Sequence, residues 1–408
     1  MSAGARGRLT KAVLGLALIS LAFAGRSAAA GTYDVGASDT TIKLGNTFPY
    51  SGPVSLTSPQ VRQMTGYFNM INDQGGVNGR KIDFISRDDG YTPPKTVELT
   101  RELVERDQVL AMFGSEGTPT QIAVQPYLNS KKVPQLFVLT GSNTLINPKK
   151  YPYTVASGSS YGFEGVVWAK YILATRPNAK IGIFYQADDF GSDHMGPFLA
   201  TIGEKSNATV VAKASYEVTD PTVTSQILTL LSAGADTFVL FAQSRAALQA
   251  ISVIRDKAGS DAMIFVPYVA SAKSVIGGLG EDKLKGLLST DAAKDAADPV
   301  WADDPSVKAY LAFLEKYTPA SDLASDASSP GGYLAAQMMV EVLKRCGDTL
   351  TRAEVIKQAS NLKNVSFPLN LPGIAFNTSP DNLFPLQITQ IKRHNGTHWE
   401  LIGKPITE

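Results

Sequence analysis

The residue types able to hold or transform a small molecule gather in one stretch, FGSEGTPTQIAVQPYL, from Phe113 to Leu128. An apolar run, VLAMF, empties into glycine-bracketed hydroxyls, and helical periodicity begins directly afterwards. That is how an α/β chain places a helix N-terminus over a ligand. Backbone N–H groups beside the hydroxyls of Thr118 and Thr120 suit a carboxylate without any formal cation. The turn contains no Cys, His, Lys or Arg, so it can hold a molecule but has little with which to transform one. Hydroxyls at such a junction also cap helices, and that plainer role stands beside the first.

Similar groups recur at the other strand ends: Phe48–Gly52, Asp88–Tyr91, Thr140–Asn143, Gln186–Gly191, Gln243–Ser244 and Tyr268–Ser271. Hydroxyl and amide side chains, Ser142 and Asn143 among them, offer hydrogen bonds. The rings of Tyr50, Tyr91, Phe190 and Tyr268 could wall an apolar body.

Catalytic signatures are missing. Asp88-Asp89 and Asp188-Asp189 each follow a strand, where one carboxylate capping the next helix is the plain expectation. His394 and His398 flank an Asn-Gly turn, which does not suit a shared metal. GSEGTPT lacks the lysine and spacing of a phosphate loop. Neither a catalytic residue nor a metal or cofactor is expected. Cys346 is the single cysteine and sits inside a helical pattern, so no internal disulfide is possible.

The elements that must position these groups alternate. Strand-like IKLGNTF, IDFISRDD, VLAMFGS and VPQLFVLT interleave with helical SPQVRQMTGYFNMIND, PKTVELTRELVERD and TPTQIAVQPYL. After GSNTLINPKKYPYT the pattern restarts with SYGFEGVVWAKYIL and KIGIFYQ and runs to AMIFVPY. Two such series predict two α/β lobes, each a Rossmann-like doubly wound parallel sheet. Three helices without intervening strands follow, then a hairpin at HNGTHW. Those helices must pack on an existing sheet, so the chain has to cross between lobes three times, near Thr154–Ser157, Leu288–Ala292 and Gly373–Asn377. Residues 34–156 with 290–373 are then the first lobe, and 157–289 with 374–404 the second.

Residues 1–30 carry a basic start, a 14-residue apolar run (AVLGLALISLAFAG) and Ala28-Ala29-Ala30. This is the pattern of a cleaved secretory signal peptide, too short to span a bilayer. The remainder keeps 34 basic residues against 37 acidic, a net charge near −3, which offers nothing to nucleic acid. A mature chain of about 375 residues also needs two cores.

SGPV (Ser51–Val54), INDQGGVNGRKIDFISRDDGYTPPKT, GSEGTPT, VPQLF, YQADDFG and CGDTLTRAEV together resemble the type I periplasmic substrate-binding proteins of ABC importers, most of all the branched-chain amino acid-binding group. The resemblance covers essentially the whole mature chain. It implies two lobes on a three-crossing hinge, closing on a small-molecule ligand that passes to a membrane permease, in a monomeric periplasmic protein that is not an enzyme. In that family the ligand carboxylate meets the glycine–hydroxyl turn, here Gly117 and Thr118, and the next strand end, here Gly141, Ser142 and Asn143. The family's cleft aromatics fall on Phe190 and Tyr333. Tyr91, Tyr161, Gln243 and Tyr268 complete the candidate ligand-binding set with Val269, which stands where the amino-acid binders place the acidic partner of the ligand ammonium. No acid occurs between Asp261 and Glu281. An ammonium buried without a carboxylate is strongly disfavoured. The expected ligand is therefore a small organic acid, aromatic in one version, with a branched-chain amino acid, amide or urea-like solute as the alternative. A secreted enzyme or receptor ectodomain is the remote one. Should an amino acid bind, Glu116 is the first carboxylate to consider.

Overall fold

The computed structural model describes residues 31–203, 206–323 and 329–408. The segment expected to be a signal peptide, 1–30, lies outside the described residues. A short strand β1 (Thr32–Tyr33) precedes the first lobe proper, whose strands are β2 (Thr41–Phe48), β3 (Lys81–Asp88), β4 (Ala111–Phe113), β5 (Gln135–Val138) and β6 (Thr154–Ala156). All five run parallel in the order β3-β2-β4-β5-β6. Their β-branched and aromatic residues are buried on both faces, as helix-covered parallel strands require. Helices α1 (Pro59–Asp73), α2 (Pro93–Arg101) and α3 (Thr118–Ser130) make the crossovers.

The second lobe repeats this plan. Strands β7 (Lys180–Gln186), β8 (Thr209–Tyr216), β9 (Thr237–Phe241), β10 (Met263–Phe265) and β11 (Leu287–Asp291) lie parallel in the order β8-β7-β9-β10-β11. It is the same permutation as in the first lobe. Helices α4 (Tyr161–Thr175), α5 (Asp189–Ile202), α6 (Thr224–Ser232) and α7 (Ser244–Ala258) flank it, with the single turns α8 (Lys273–Ile276) and α9 (Glu281–Leu284). Strand order reverses between β2 and β4 in one sheet and between β7 and β9 in the other. Such switch points open a crevice at the carboxyl ends of the strands.

Three later helices, α10 (Pro305–Tyr317), α11 (Gly331–Cys346) and α12 (Arg352–Ala359), pack on the first lobe. Leu334, Met338, Met339 and Leu343 of α11 share one core with Leu44, Phe113 and Leu136. Between α11 and α12, the two-residue strand β12 (Thr349–Leu350) pairs with β1. Strands β13 (Ile388–His394) and β14 (Trp399–Thr407) then add antiparallel to β11, closing through a turn in which Asn395 N donates to the His398 carbonyl.

The chain passes from the first lobe to the second between β6 and α4, and returns after β11. The third passage departs from the expected Gly373–Asn377. Ile374, Phe376, Leu383, Phe384 and Leu386 are all buried in the first-lobe core, and Ala156 N donates to the Leu383 carbonyl. The chain therefore reaches the second lobe only past Leu386. The segment has no helical or strand period, so its Pro-Gly turn was the one visible punctuation, while its scattered apolar residues decide where it packs. Among the described residues no helix is long and apolar enough to cross a membrane.

Candidate functional site: a closed cleft between two switch points

The carboxyl ends of both sheets face one another across a cavity of roughly 1160 Å³, its open mouth included. Turns following β4, β5 and β6 supply Glu116, Gly117, Thr118, Leu139 and Ser157–Ser159 from one side. Phe190, Gln243, Tyr268, Val269 and Thr290–Ala293 come from the ends of β7, β9, β10 and β11 on the other. Helix α11 contributes Leu334, Ala335 and Met338, and the late loop of the first lobe adds Asn370, Phe376 and Leu386. Among the described residues that line it, none is Lys, Arg or His.

Local chemistry explains the polar end. Gly117 caps α3 at φ +107°, a conformation that glycine adopts without strain. The first-turn N–H groups of α3 have no intrahelical acceptor, and they carry the positive end of the helix dipole. Thr118 Oγ1 lies 2.7 Å from Thr140 Oγ1, while Thr120 Oγ1 turns back to donate to the Glu116 carbonyl at 2.7 Å. Thr120 is therefore engaged within its own turn, whereas Thr118 lines the cavity.

Glu116 is buried, and desolvation pushes its carboxyl up to about 8. The Thr57 hydroxyl lies 2.9 Å from the Val54 carbonyl and donates to Glu116 Oε2 at 2.7 Å, a bond that opposes the upward shift without cancelling it. Asp291 is the other lining carboxylate, and it already has partners. Lys392 Nζ approaches to 2.6 Å, and the Ala292 and Ala293 N–H groups donate to Oδ1 at 2.8 and 3.1 Å.

The lobes touch across the mouth. Gln243 Nε2 donates to Tyr91 Oη at 2.6 Å, and Gln243 is itself braced by Gln186, which also accepts from Tyr216 Oη. Tyr91 Oη is fully buried, and its acidity is suppressed well beyond that of an ordinary phenol by desolvation. Tyr161 lies against Phe190, stacks on His194 at 4.0 Å between centroids and faces Tyr268 at 6.1 Å. Beneath them, Glu164 ties this wall to the hinge, with Oε1 accepting from Tyr268 N at 3.0 Å and Thr290 Oγ1 at 2.6 Å.

A periplasmic binding protein family model matches residues 41–393. The chain belongs to that family. A Leu/Ile/Val-binding protein homolog 7 from Brucella melitensis biotype 1 is 23% identical over 370 residues, covering 84% of this chain and 86% of its own. Among solved structures, a branched-chain amino acid ABC transporter protein from Thermus thermophilus with bound valine superposes with TM-score 0.80 at 18% identity, over 91% of this chain and 97% of that one. An ABC transporter solute-binding protein from R. palustris in complex with 4-hydroxybenzoate gives TM-score 0.74 at 22% identity, over 90% and 96%.

In this periplasmic binding protein, Gly117, Thr118, Tyr91, Tyr161, Phe190, Gln243, Tyr268 and Val269 line the cavity together. Gly141, Ser142 and Asn143 do not. Their groups join the lobes beside the first crossing instead. The Gly141 carbonyl accepts from Tyr161 N at 2.8 Å, Asn143 Oδ1 accepts from Gly162 N at 2.9 Å, and Ser142 Oγ donates to Asp193 at 2.5 Å. Short β6 and the early start of α4 bring the second lobe onto that turn before a ligand can reach it. Tyr50 lies outside the cavity, partly exposed, with its hydroxyl on Ser86. Tyr333 packs against Tyr67, Tyr310 and Phe313, away from the cavity. Asp88 and Asp89 brace their own turn, accepting from Gly90 N and Tyr91 N, and Asp188 caps α5. Sequence reasoning missed Asn370 and the α11 residues, because no strand-end signal points to a helix 200 residues downstream.

Proposed function

We propose that this protein is the extracytoplasmic solute-binding component of an ABC importer, acting in the periplasm as a monomer and delivering its solute to a membrane permease. Its solute is a small organic acid without an α-amino group. One observation carries the choice of solute: among the described residues that line the cavity, none offers a free carboxylate. Val269 lines it, Glu116 is held neutral by burial, and Asp291 is neutralised by Lys392. An ammonium would enter uncompensated, whereas a carboxylate finds the α3 N-terminus, the Thr118 hydroxyl and a protonated Glu116. Tyr91, Tyr161, Phe190 and Tyr268 give the rest of the site the character of a slot for a flat apolar body.

The relatives bear on both readings. A structure with bound valine and the Leu/Ile/Val names favour an amino acid, and the 4-hydroxybenzoate complex supports an amine-free aromatic acid. The lining carboxyls tip the balance toward the acid.

Thermal-shift screening against organic acids and amino acids should raise the melting temperature with acids. The best acid should then bind Thr118→Val more weakly by about 1.5–3 kcal/mol, the worth of a hydrogen bond to a charged group. An unchanged dissociation constant would reduce Thr118 to a capping residue.

A further inference from the structure

We propose that the solute is elongated and carries a second hydrogen-bond acceptor at the end remote from its carboxylate, where the Asn370 side-chain amide receives it. This rests on the reading of the cleft as an acid-binding site and specifies the shape of that acid.

The cavity is a slot running along both sheets. On one wall its lining passes from Thr118 after β4, to Leu139 after β5, to Ser157 after β6. It then continues to Leu386 and Phe376 in the loop segment that bonds β6 through Leu383. The opposite wall advances in the same order, from Phe190 and Gln243 to Tyr268 and then to Thr290–Ala293. With strands about 4.8 Å apart, three spacings put the far end roughly 14 Å from Thr118. An amino-acid-sized solute held at α3 would leave much of this slot unfilled.

The far half is apolar, with Leu334, Ala335, Met338, Phe376 and Leu386 all buried. Among the buried polar side-chain atoms of its lining, one has no partner among the described residues. Asn370 is only 5% exposed, lines the cavity, and forms a bridge with Ala293. Its Oδ1 accepts from Phe367 N at 2.7 Å, which fixes the amide orientation and leaves Nδ2 as a buried donor with no partner among the described residues. A buried, unpaired amide donor is costly and is retained where something comes to meet it. A neutral hydroxyl or carbonyl oxygen meets such an uncharged amide donor without burying a further charge.

Calorimetry on the unmutated protein with phenylalkanoic acids of increasing chain length, each with and without a para-hydroxyl, tests this. Affinity should climb with length to an optimum, and at that length the hydroxyl should add about tenfold, the equivalent of one hydrogen bond. Asn370→Asp keeps the acceptor for Phe367 N and removes the donor. It should abolish the hydroxyl preference, read as the ratio of affinities between each hydroxylated acid and its plain counterpart, which cancels any general effect of the new carboxyl on acids. Acids that bind equally at every length, with no preference for the hydroxyl, would overturn the elongated solute and leave the acid-binding reading standing. If no acid of any length binds, both fall.

Discussion

Alanine at Gly117 should weaken solute binding by roughly ten- to a hundredfold and lower the melting temperature as well. Gly117 combines φ +107° with ψ 143°, a region costing a side-chain-bearing residue about 1–3 kcal/mol. The added Cβ would lie 2.6 Å from Tyr91 Cε2 and 2.5 Å from Thr120 Oγ1. Neither neighbour is free to retreat. Thr120 is bonded to the Glu116 carbonyl, and Tyr91 is buried with its hydroxyl held by Gln243 of the opposite lobe. Relief must therefore rotate the turn that aims the α3 N–H groups, or push Tyr91 off Gln243 and prise the lobes apart. Calorimetry beside a thermal melt separates the two losses. A dissociation constant equal to that of the unmutated protein would show that this turn does not hold the solute.

The second large effect depends on pH. Glu116 is raised from 4.5 to about 8, so between those values the folded state keeps a proton that the unfolded state has released. Its contribution to stability is complete below the unfolded value and is lost as pH rises through the folded one, at up to about 1.4 kcal/mol per unit. Solute binding should follow the same group. Above pH 8 an ionised Glu116 would face the solute carboxylate, and affinity should fall by up to about tenfold per pH unit. Glu116→Gln retains an acceptor for the Thr57 hydroxyl and cannot ionise. It should bind acids as well as the unmutated protein near neutrality and hold that affinity on the alkaline side. Were the natural solute an α-amino acid using Glu116 as its anion, the glutamine variant would instead lose binding at every pH.

Much of this molecule was legible because its information is local. Short buried strands such as FVLF and IGIF, followed by amphipathic helices, announce two parallel sheets, and SGPV with INDQGGVNGRK carries the family. Gly117, Thr118, Tyr91, Phe190 and Tyr268 were found because strand ends at a switch point are where such folds place ligands. The turn at Gly141–Asn143 has the same local signature, yet α4 occupies it, and nothing within the turn reveals that. Asn370 and Met338 were invisible for the opposite reason. One lies in an aperiodic loop and the other on an ordinary core helix, and only the chain's return to the first lobe after β11 folds them over the cleft. Glu116 shows a further limit: its identity is plain in the sequence, but its neutrality comes from burial, which only the fold creates.

The central claim is that this cleft accepts a carboxylate and refuses an α-ammonium. Isothermal calorimetry with a matched pair, an aromatic acid and its α-amino counterpart, tests it most directly. The acid should bind in the micromolar range or tighter, and the amino acid at least a hundredfold more weakly, because its ammonium would be buried without an ionised partner. Micromolar binding of leucine or phenylalanine, with no binding of amine-free acids, would contradict the account.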